Sequence, residues 1–286
     1  MINAVEIKNL SKSYNNGFKL GEISLNIPKG LIIGLIGENG AGKTTLIKSI
    51  LNIIKIDTGN IKIFDKDYIN YENIIKEDIG VVLDNMFFPE LLTLSDIDKI
   101  MGDIFKNWDS KLYFDFLNKF NLPIKRTIKN LSKGMRKKLE IATALAHHPK
   151  LLILDEPTSG LDPITRSEVL DIFQNFVQDE EHTILFSTHI TSDLEHIADY
   201  IIFIDQGKLV LNENKDTIVD NYGILKCDID DFNKVSREDY LVYKKNKYSY
   251  DFLINNKSKI KKKYRDFVID NISLEELMIL MIKGDK

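Results

Sequence analysis

The residues whose spacing carries the most chemistry are Gly37-Glu38-Asn39-Gly40-Ala41-Gly42-Lys43-Thr44. They fit G-x-x-x-x-G-K-[ST] and lie between an apolar run and a helical pattern, the context that motif needs. Glycines without side chains let successive backbone N–H groups curl round a polyphosphate, and the N-terminus of the following helix adds partial positive charge. Lys43 then reaches the β- and γ-phosphates, and the Thr44 hydroxyl is a ligand for Mg²⁺. The whole cradle is read as Asn39, Gly40, Ala41, Gly42, Lys43, Thr44 and Thr45.

A phosphate cradle needs an acidic element to complete the metal shell, and Leu151-Leu152-Ile153-Leu154-Asp155-Glu156 supplies one at the end of an apolar run. Asp155 is expected to hold Mg²⁺ through water, and Glu156 to act as general base on the attacking water. A third apolar run ends in Ser187-Thr188-His189. An imidazole there would meet the γ-phosphate and keep the attacking water in line. His147, His148, His182 and His196 show no metal-ligand spacing and read as surface residues.

These side chains need a frame. Short apolar or alternating runs at 5–7, 23–27, 31–36, 61–64, 80–83, 151–154, 183–186 and 200–204 read as strands. Helical patterns at 43–50 and 165–177 separate several of them, which argues for an α/β fold with a mostly parallel sheet. Between Leu91 and His148 the strand signal vanishes, and amphipathic patterns such as Leu112, Tyr113, Phe116, Leu117 and Phe120 read as a helical insertion. From about Asp216 the character shifts again. Tyr248, Tyr250, Phe252 and Ile254 alternate strictly, the cluster at 244–247 suits a solvated hairpin turn, and the lysine-rich stretch 257–265 reads as a solvated face. Ser273 with Glu276 forms a capping box ahead of an apolar helix.

Composition bounds the rest. The chain has 286 residues, of which 43% are hydrophobic and 29% charged, so wholesale disorder or a collagen-like repeat does not fit. The single Cys227 cannot close an internal bridge, which suits a reducing compartment. No apolar stretch approaches the roughly 20 residues a spanning helix needs, and the N-terminus has no signal-peptide pattern, so a cytoplasmic location is expected. The net charge of −4 gives no whole-chain footprint for nucleic acid, and no nucleic-acid partner is expected.

One further motif, Leu131-Ser132-Lys133-Gly134-Met135, lies upstream of Asp155. With it, the order and intervals from Tyr14 to about Gln206 resemble the nucleotide-binding subunits of ATP-binding cassette (ABC) transporters. That resemblance implies an α/β fold: a P-loop NTPase core with an antiparallel β subdomain and an inserted helical subdomain, plus a small C-terminal α+β appendage. The bounds would be 1–215 for the ATPase domain, with the insertion at about 88–148, and 216–286 for an accessory region. It implies ATP and Mg²⁺ as ligands, and two ATPase chains, identical or homologous, sandwiching nucleotide. Tyr14 would stack on adenine; Ser132, Gly134 and Asp162 would serve the partner's nucleotide. Without the resemblance Tyr14 is a loop aromatic, Ser132 with Gly134 a helix cap, and Ser159 to Asp162 a polar turn before Pro163.

Two positions depart from the family pattern. Asp84 stands where a glutamine usually touches Mg²⁺, and a carboxylate is an equally suitable oxygen ligand on a shorter arm. Lys133 and Met135 replace Gly and Gln, a spelling found in the export branch that moves drugs, peptide antibiotics and other amphiphiles. The expected function is therefore the ATP-hydrolysing subunit of an exporter, peripheral on the inner membrane face and working with separate membrane-spanning subunits. The alternative is a soluble ATPase of the same superfamily acting in translation or regulation.

Overall fold

The computed structural model describes residues 2–83 and 88–285. Strands β1 (Asn3–Ser13) and β2 (Lys19–Pro28) form an antiparallel hairpin whose alternate residues are buried. Strand β3 (Ile32–Ile36) is buried throughout, as a strand covered on both faces must be, and ends in the glycine-rich loop that opens helix α1 (Lys43–Ile50). β4 (Thr58–Ile63) and β5 (Lys66–Asp67) return to the hairpin and complete an antiparallel sheet of order β2-β1-β4-β5. Helix α2 (Tyr68–Glu77), capped by the Asp67 carboxylate on Ile69 N–H, then leads into β6 (Ile79–Val82).

The expected helical insertion follows. Helix α3 (Leu94–Ile104) starts from a reciprocal Thr93–Asp96 capping box, and α4 (Ser110–Lys119) from Asp109. Helix α5 (Lys133–Leu145) carries the Ser132–Gly134 motif at its first turn. Leu94, Ile97, Tyr113, Leu117 and Leu139 are fully buried among these helices, so the amphipathic stripes read from the sequence form its core.

The chain then builds β7 (Leu151–Asp155), α6 (Pro163–Phe176), β8 (Thr183–Ser187), α7 (Thr191–Ile197), β9 (Tyr200–Asp205) and β10 (Lys208–Asn214). Six strands form the main sheet in the order β10-β9-β3-β8-β7-β6, parallel except for the β9–β10 pair. Alternate residues of one strand face different cores. Leu151 and Ile153 pack with α1 and the antiparallel sheet, while Leu152 and Leu154 pack with α5, α6 and α7. Parallel pairing brings the C-terminal ends of β3, β6, β7 and β8 to one edge, where ligands of such sheets bind.

The remaining elements are α8 (Lys215–Asn221), β11 (Gly223–Asp228), β12 (Val242–Lys245), β13 (Ser249–Ile254), α9 (Lys257–Lys263), β14 (Val268–Asp270) and α10 (Leu274–Lys283). They include an antiparallel sheet of order β12-β13-β11-β14 and the expected Ser273–Glu276 capping box. The strict alternation read from the sequence falls on β13, where Phe252, Leu253 and Ile254 are all fully buried. Phe252 and Ile254 join an aromatic cluster with Tyr240 and Tyr264, whereas Leu253 joins the core that holds α7 and α10. The Lys257–Lys263 helix is not wholly solvated either, because Lys263 Nζ donates to the buried Asp239 carboxylate at 2.5 Å.

Candidate functional site

The glycine-rich loop has its shape because two of its glycines permit nothing larger. A Cβ on Gly37 would lie 2.3 Å from the Ile204 carbonyl oxygen of the neighbouring strand. Gly42 has a φ of 115°, and its Cβ would meet Leu20 and Phe18. The loop therefore wraps tightly over the end of β9 and aims α1 at a cleft of about 450 Å³. Asn39, Gly40, Gly42, Lys43, Thr44 and Thr45 line that cleft with Asp155 and Glu156. Ala41 is buried behind it, with its carbonyl accepting from Gly207 N–H at 2.8 Å.

Lys43 is 6% exposed, and Nζ donates to the carbonyls of Gly37 (2.6 Å) and Glu38 (3.2 Å). Burial pulls its pKa below the ordinary lysine value, opposed by the carboxylates of Glu156 and then Asp155. The ammonium is thus parked on neutral carbonyls, which a phosphate oxygen would replace with a stronger, charge-assisted partner. Thr44 Oγ1 donates to Asp155 Oδ2 at 2.9 Å, so the two expected metal residues already meet.

Glu156 follows Asp155 at the end of β7 with a φ of 52°, the left-handed conformation that non-glycine residues adopt at some energetic cost. Its N–H donates to the Ser187 carbonyl of β8 at 2.9 Å. Oε2 then lies 2.8 Å from His189 Nδ1 and accepts a longer bond from Thr188 Oγ1 at 3.5 Å. β7 and β8 are in register at Asp155 and Ser187, so the two strand ends deliver the carboxylate and the imidazole to one place.

Tyr14 lines the same cleft, as do Asn16 and Phe18, which the sequence pattern did not single out. The Tyr14 and Phe18 ring centroids are 6.2 Å apart, and Lys12 Nζ is 5.6 Å from the Tyr14 ring. The signal was available: a second aromatic stands four residues after Tyr14 in the same polar hairpin loop.

Ser132, Gly134 and Asp162 do not line this cleft. Met135 N–H donates to Ser132 Oγ at 3.2 Å as the cap of α5, and Thr165 N–H donates to Asp162 Oδ1 at 3.1 Å as the cap of α6. The bond from Thr165 is the main cause of a lowered Asp162 pKa. The two caps are neighbours, since the Lys133 stem crosses Gly160 and Gly134 faces Leu161.

Asp84 lies outside the described residues. Just before it, the Leu83 carbonyl accepts from Lys137 Nζ at 2.9 Å, tying α5 to the end of β6, and Lys137 also pairs with Glu140 at 3.0 Å. The surface reading of His147 is corrected: it is 2% exposed, stacked on Phe105 with centroids 4.1 Å apart, and its Nε2 is 3.0 Å from the Ile79 carbonyl. It closes α5 against β6, so it is buried by tertiary packing that no spacing rule encodes.

A parallel sheet with a glycine cradle, a lysine, an acidic strand end and a carboxylate–imidazole pair at one edge defines a P-loop nucleoside triphosphatase. The ABC transporter family model matches residues 20–159. The chain is 39% identical over 214 residues to the lantibiotic transport ATP-binding protein SrtF of Streptococcus pyogenes, covering 74% of this chain and 91% of that one. It is 35% identical over 215 residues to the bacitracin transport ATP-binding protein BcrA of Enterococcus faecalis, covering 73% and 69%. The solved ATP-binding subunit of an ABC transporter superposes with a TM-score of 0.67 at 26% identity, covering 75% of this chain and 91% of that one. This chain belongs to the ABC transporter family, as one of its ATP-binding, ATP-hydrolysing subunits. No helix among the described residues is long and apolar enough to cross a membrane.

Proposed function

We propose that residues 1–215 are the ATPase domain of an export-type transporter, peripheral on the inner membrane face, and that 216–286 are an accessory region. The observation that carries the chemistry is the convergence of Lys43, the Thr44–Asp155 pair and Glu156 on one cleft at the strand ends, with His189 bonded to Glu156 beside it. The polyphosphate of ATP would lie in the 39–45 loop, with the base near Tyr14 and Phe18. Mg²⁺ fits the donor set, since a threonine hydroxyl and a carboxylate are hard oxygen ligands. Among the described residues no group of three or more His, Cys, Asp or Glu could hold a metal, so phosphate oxygens and water would complete its shell. Thr44, Asp155 and Asp84 would hold the ion, which when bound neutralises charge on the β- and γ-oxygens.

Lys43 would exchange its carbonyl partners for phosphate oxygens. Glu156 would take the proton of the attacking water, and His189, held by Glu156 through Nδ1, would present Nε2 toward the γ-phosphate. Within one chain the neighbouring caps at Ser132, Gly134 and Asp162 face no part of this cleft, which supports a sandwich in which they serve the nucleotide of a second ATPase subunit. Closure of that sandwich would drive separate membrane-spanning subunits. The relatives named for lantibiotic and bacitracin transport support an exported amphiphile such as a peptide antibiotic. They also weigh against a role in translation.

The test is Glu156→Gln. It is expected to bind ATP and dimerise, measured by size-exclusion chromatography with light scattering, while hydrolysing almost nothing. Wild-type turnover in this variant would sink the assignment of Glu156 as the base.

A further inference from the structure

Asp193 is the most deeply buried carboxylate near the site, yet it touches neither the cleft nor any of the expected nucleotide residues. Its side chain is 1% exposed. Oδ2 accepts from Thr158 Oγ1 at 2.6 Å, and Oδ1 accepts from Arg166 Nε at 2.5 Å. Arg166 Nη2 reaches on to Ser192 Oγ at 2.8 Å. Burying a carboxylate is costly unless it is paired and hydrogen-bonded, so this arrangement is held by all of its partners or by none.

The three partners come from three separate segments, each next to a residue of the site. Thr158, itself 1% exposed, stands two residues after Glu156 in the turn that leaves β7. Arg166 lies in the first turn of α6, four residues after Asp162. Asp193 lies in the first turn of α7, four residues after His189. Glu156 has a left-handed backbone, held by its N–H bond to the Ser187 carbonyl at 2.9 Å and by the Ser159 N–H bond to its own carbonyl at 3.3 Å, both of which fix the turn locally. The Thr158–Asp193 bond is what ties that turn, and so the exit of the base, to the helix that follows the imidazole.

We propose that Asp193 is a positioning residue for hydrolysis: through Thr158 and Arg166 it holds Glu156, His189 and the Asp162 turn in one register. This rests on the reading of Glu156 and His189 as the reacting pair. The role is geometric, since no proton or phosphate passes through Asp193. A small displacement of a base from its water is enough to cost about 100-fold in rate, so the tie shows in turnover more than in nucleotide affinity.

The experiment is steady-state ATP hydrolysis by the full chain, with thermal melts to establish that each variant is folded at the assay temperature. Asp193→Asn and Thr158→Val are expected to lower kcat about tenfold or more with KM for ATP within about twofold of wild type. Thr158→Ser keeps the hydroxyl and is expected to retain wild-type kcat, which a purely packing role for Thr158 would not give. Thr158→Val combined with Asp193→Asn should be no slower than Asp193→Asn alone, because both cut the same tie. The proposal is overturned by wild-type kcat in Thr158→Val, or by Thr158→Ser falling as far as Thr158→Val. These two Thr158 variants decide the question even where Asp193→Asn does not fold. Glu156→Gln run alongside separates the two readings: an active Glu156→Gln removes the base assignment, whereas an inactive one beside wild-type Thr158→Val removes the positioning role alone.

Discussion

His189 Nδ1 and Glu156 Oε2 lie 2.8 Å apart across the ends of β8 and β7, with the glutamate side chain 15% exposed and the imidazole 53% exposed. The carboxylate is sheltered while the ring stands open to solvent, and with Nδ1 engaged by Glu156 the ring's Nε2 is the nitrogen left to meet a ligand.

From this follows the behaviour of His189→Ala. Loss of the imidazole leaves Glu156 in place but unoriented, so kcat is expected to fall about 100-fold or more with little change in KM for ATP. Steady-state kinetics on the folded variant checks it, and equal losses in kcat and nucleotide affinity would contradict it.

Gly37→Ala tests the close approach of the loop to β9. The added Cβ would stand 2.3 Å from the Ile204 carbonyl oxygen, and a strand backbone has little room to yield. Overpacking of this kind is expected to cost about 3 kcal/mol in stability. Urea denaturation without nucleotide checks it, separating a folding defect from lost ATP binding.

His147 predicts an acid sensitivity. Burial pulls its pKa below the ordinary histidine value, against the bond to the Ile79 carbonyl that pulls the other way. The folded state therefore takes up the proton less readily than the unfolded chain. The resulting contribution is complete above the unfolded value of about 6.5 and is lost as pH falls from there toward the lower folded value. His147→Phe retains the stack on Phe105 and removes this group, so its stability should fall less between pH 7 and pH 5 than that of wild type. The largest difference one proton allows is about 1.4 kcal/mol per pH unit. Denaturant midpoints at the two pH values decide it.

How far the sequence alone reaches differs between parts of the molecule. The 37–44 loop, Asp155, Glu156 and His189 were readable because their spelling is dictated by local geometry: a turn only glycine can make, and polar residues at the ends of apolar strands. The tie among Thr158, Arg166 and Asp193 was not readable as a group, because residues far apart in the chain meet only once β7, α6 and α7 have packed. His147 looked like a surface residue for the same reason, its polar ring being buried by α5 closing on β6. In β13, alternation correctly signalled a strand, but the number of covered faces depended on which core lay on each side.

That last point bears on the C-terminal region, which the sequence presents as a small α+β appendage. Leu253, Ile272, Leu274, Leu277 and Leu280 belong to the same buried cluster as Leu194 and Ile197 of α7 and the strands beneath them. The Leu274 N–H also donates to Glu195 Oε1 of α7 at 2.8 Å. Removing residues 216–286 would uncover that face of α7, the helix that begins two residues after His189. A chain ending at Lys215 is therefore expected to aggregate or melt well below the full chain. In the full chain, Leu277→Ala should cost about 2–5 kcal/mol, because it opens a cavity at a fully buried position. Thermal and denaturant melts of both variants check this, and a truncated chain as stable and monodisperse as the whole would show instead that the two parts fold independently.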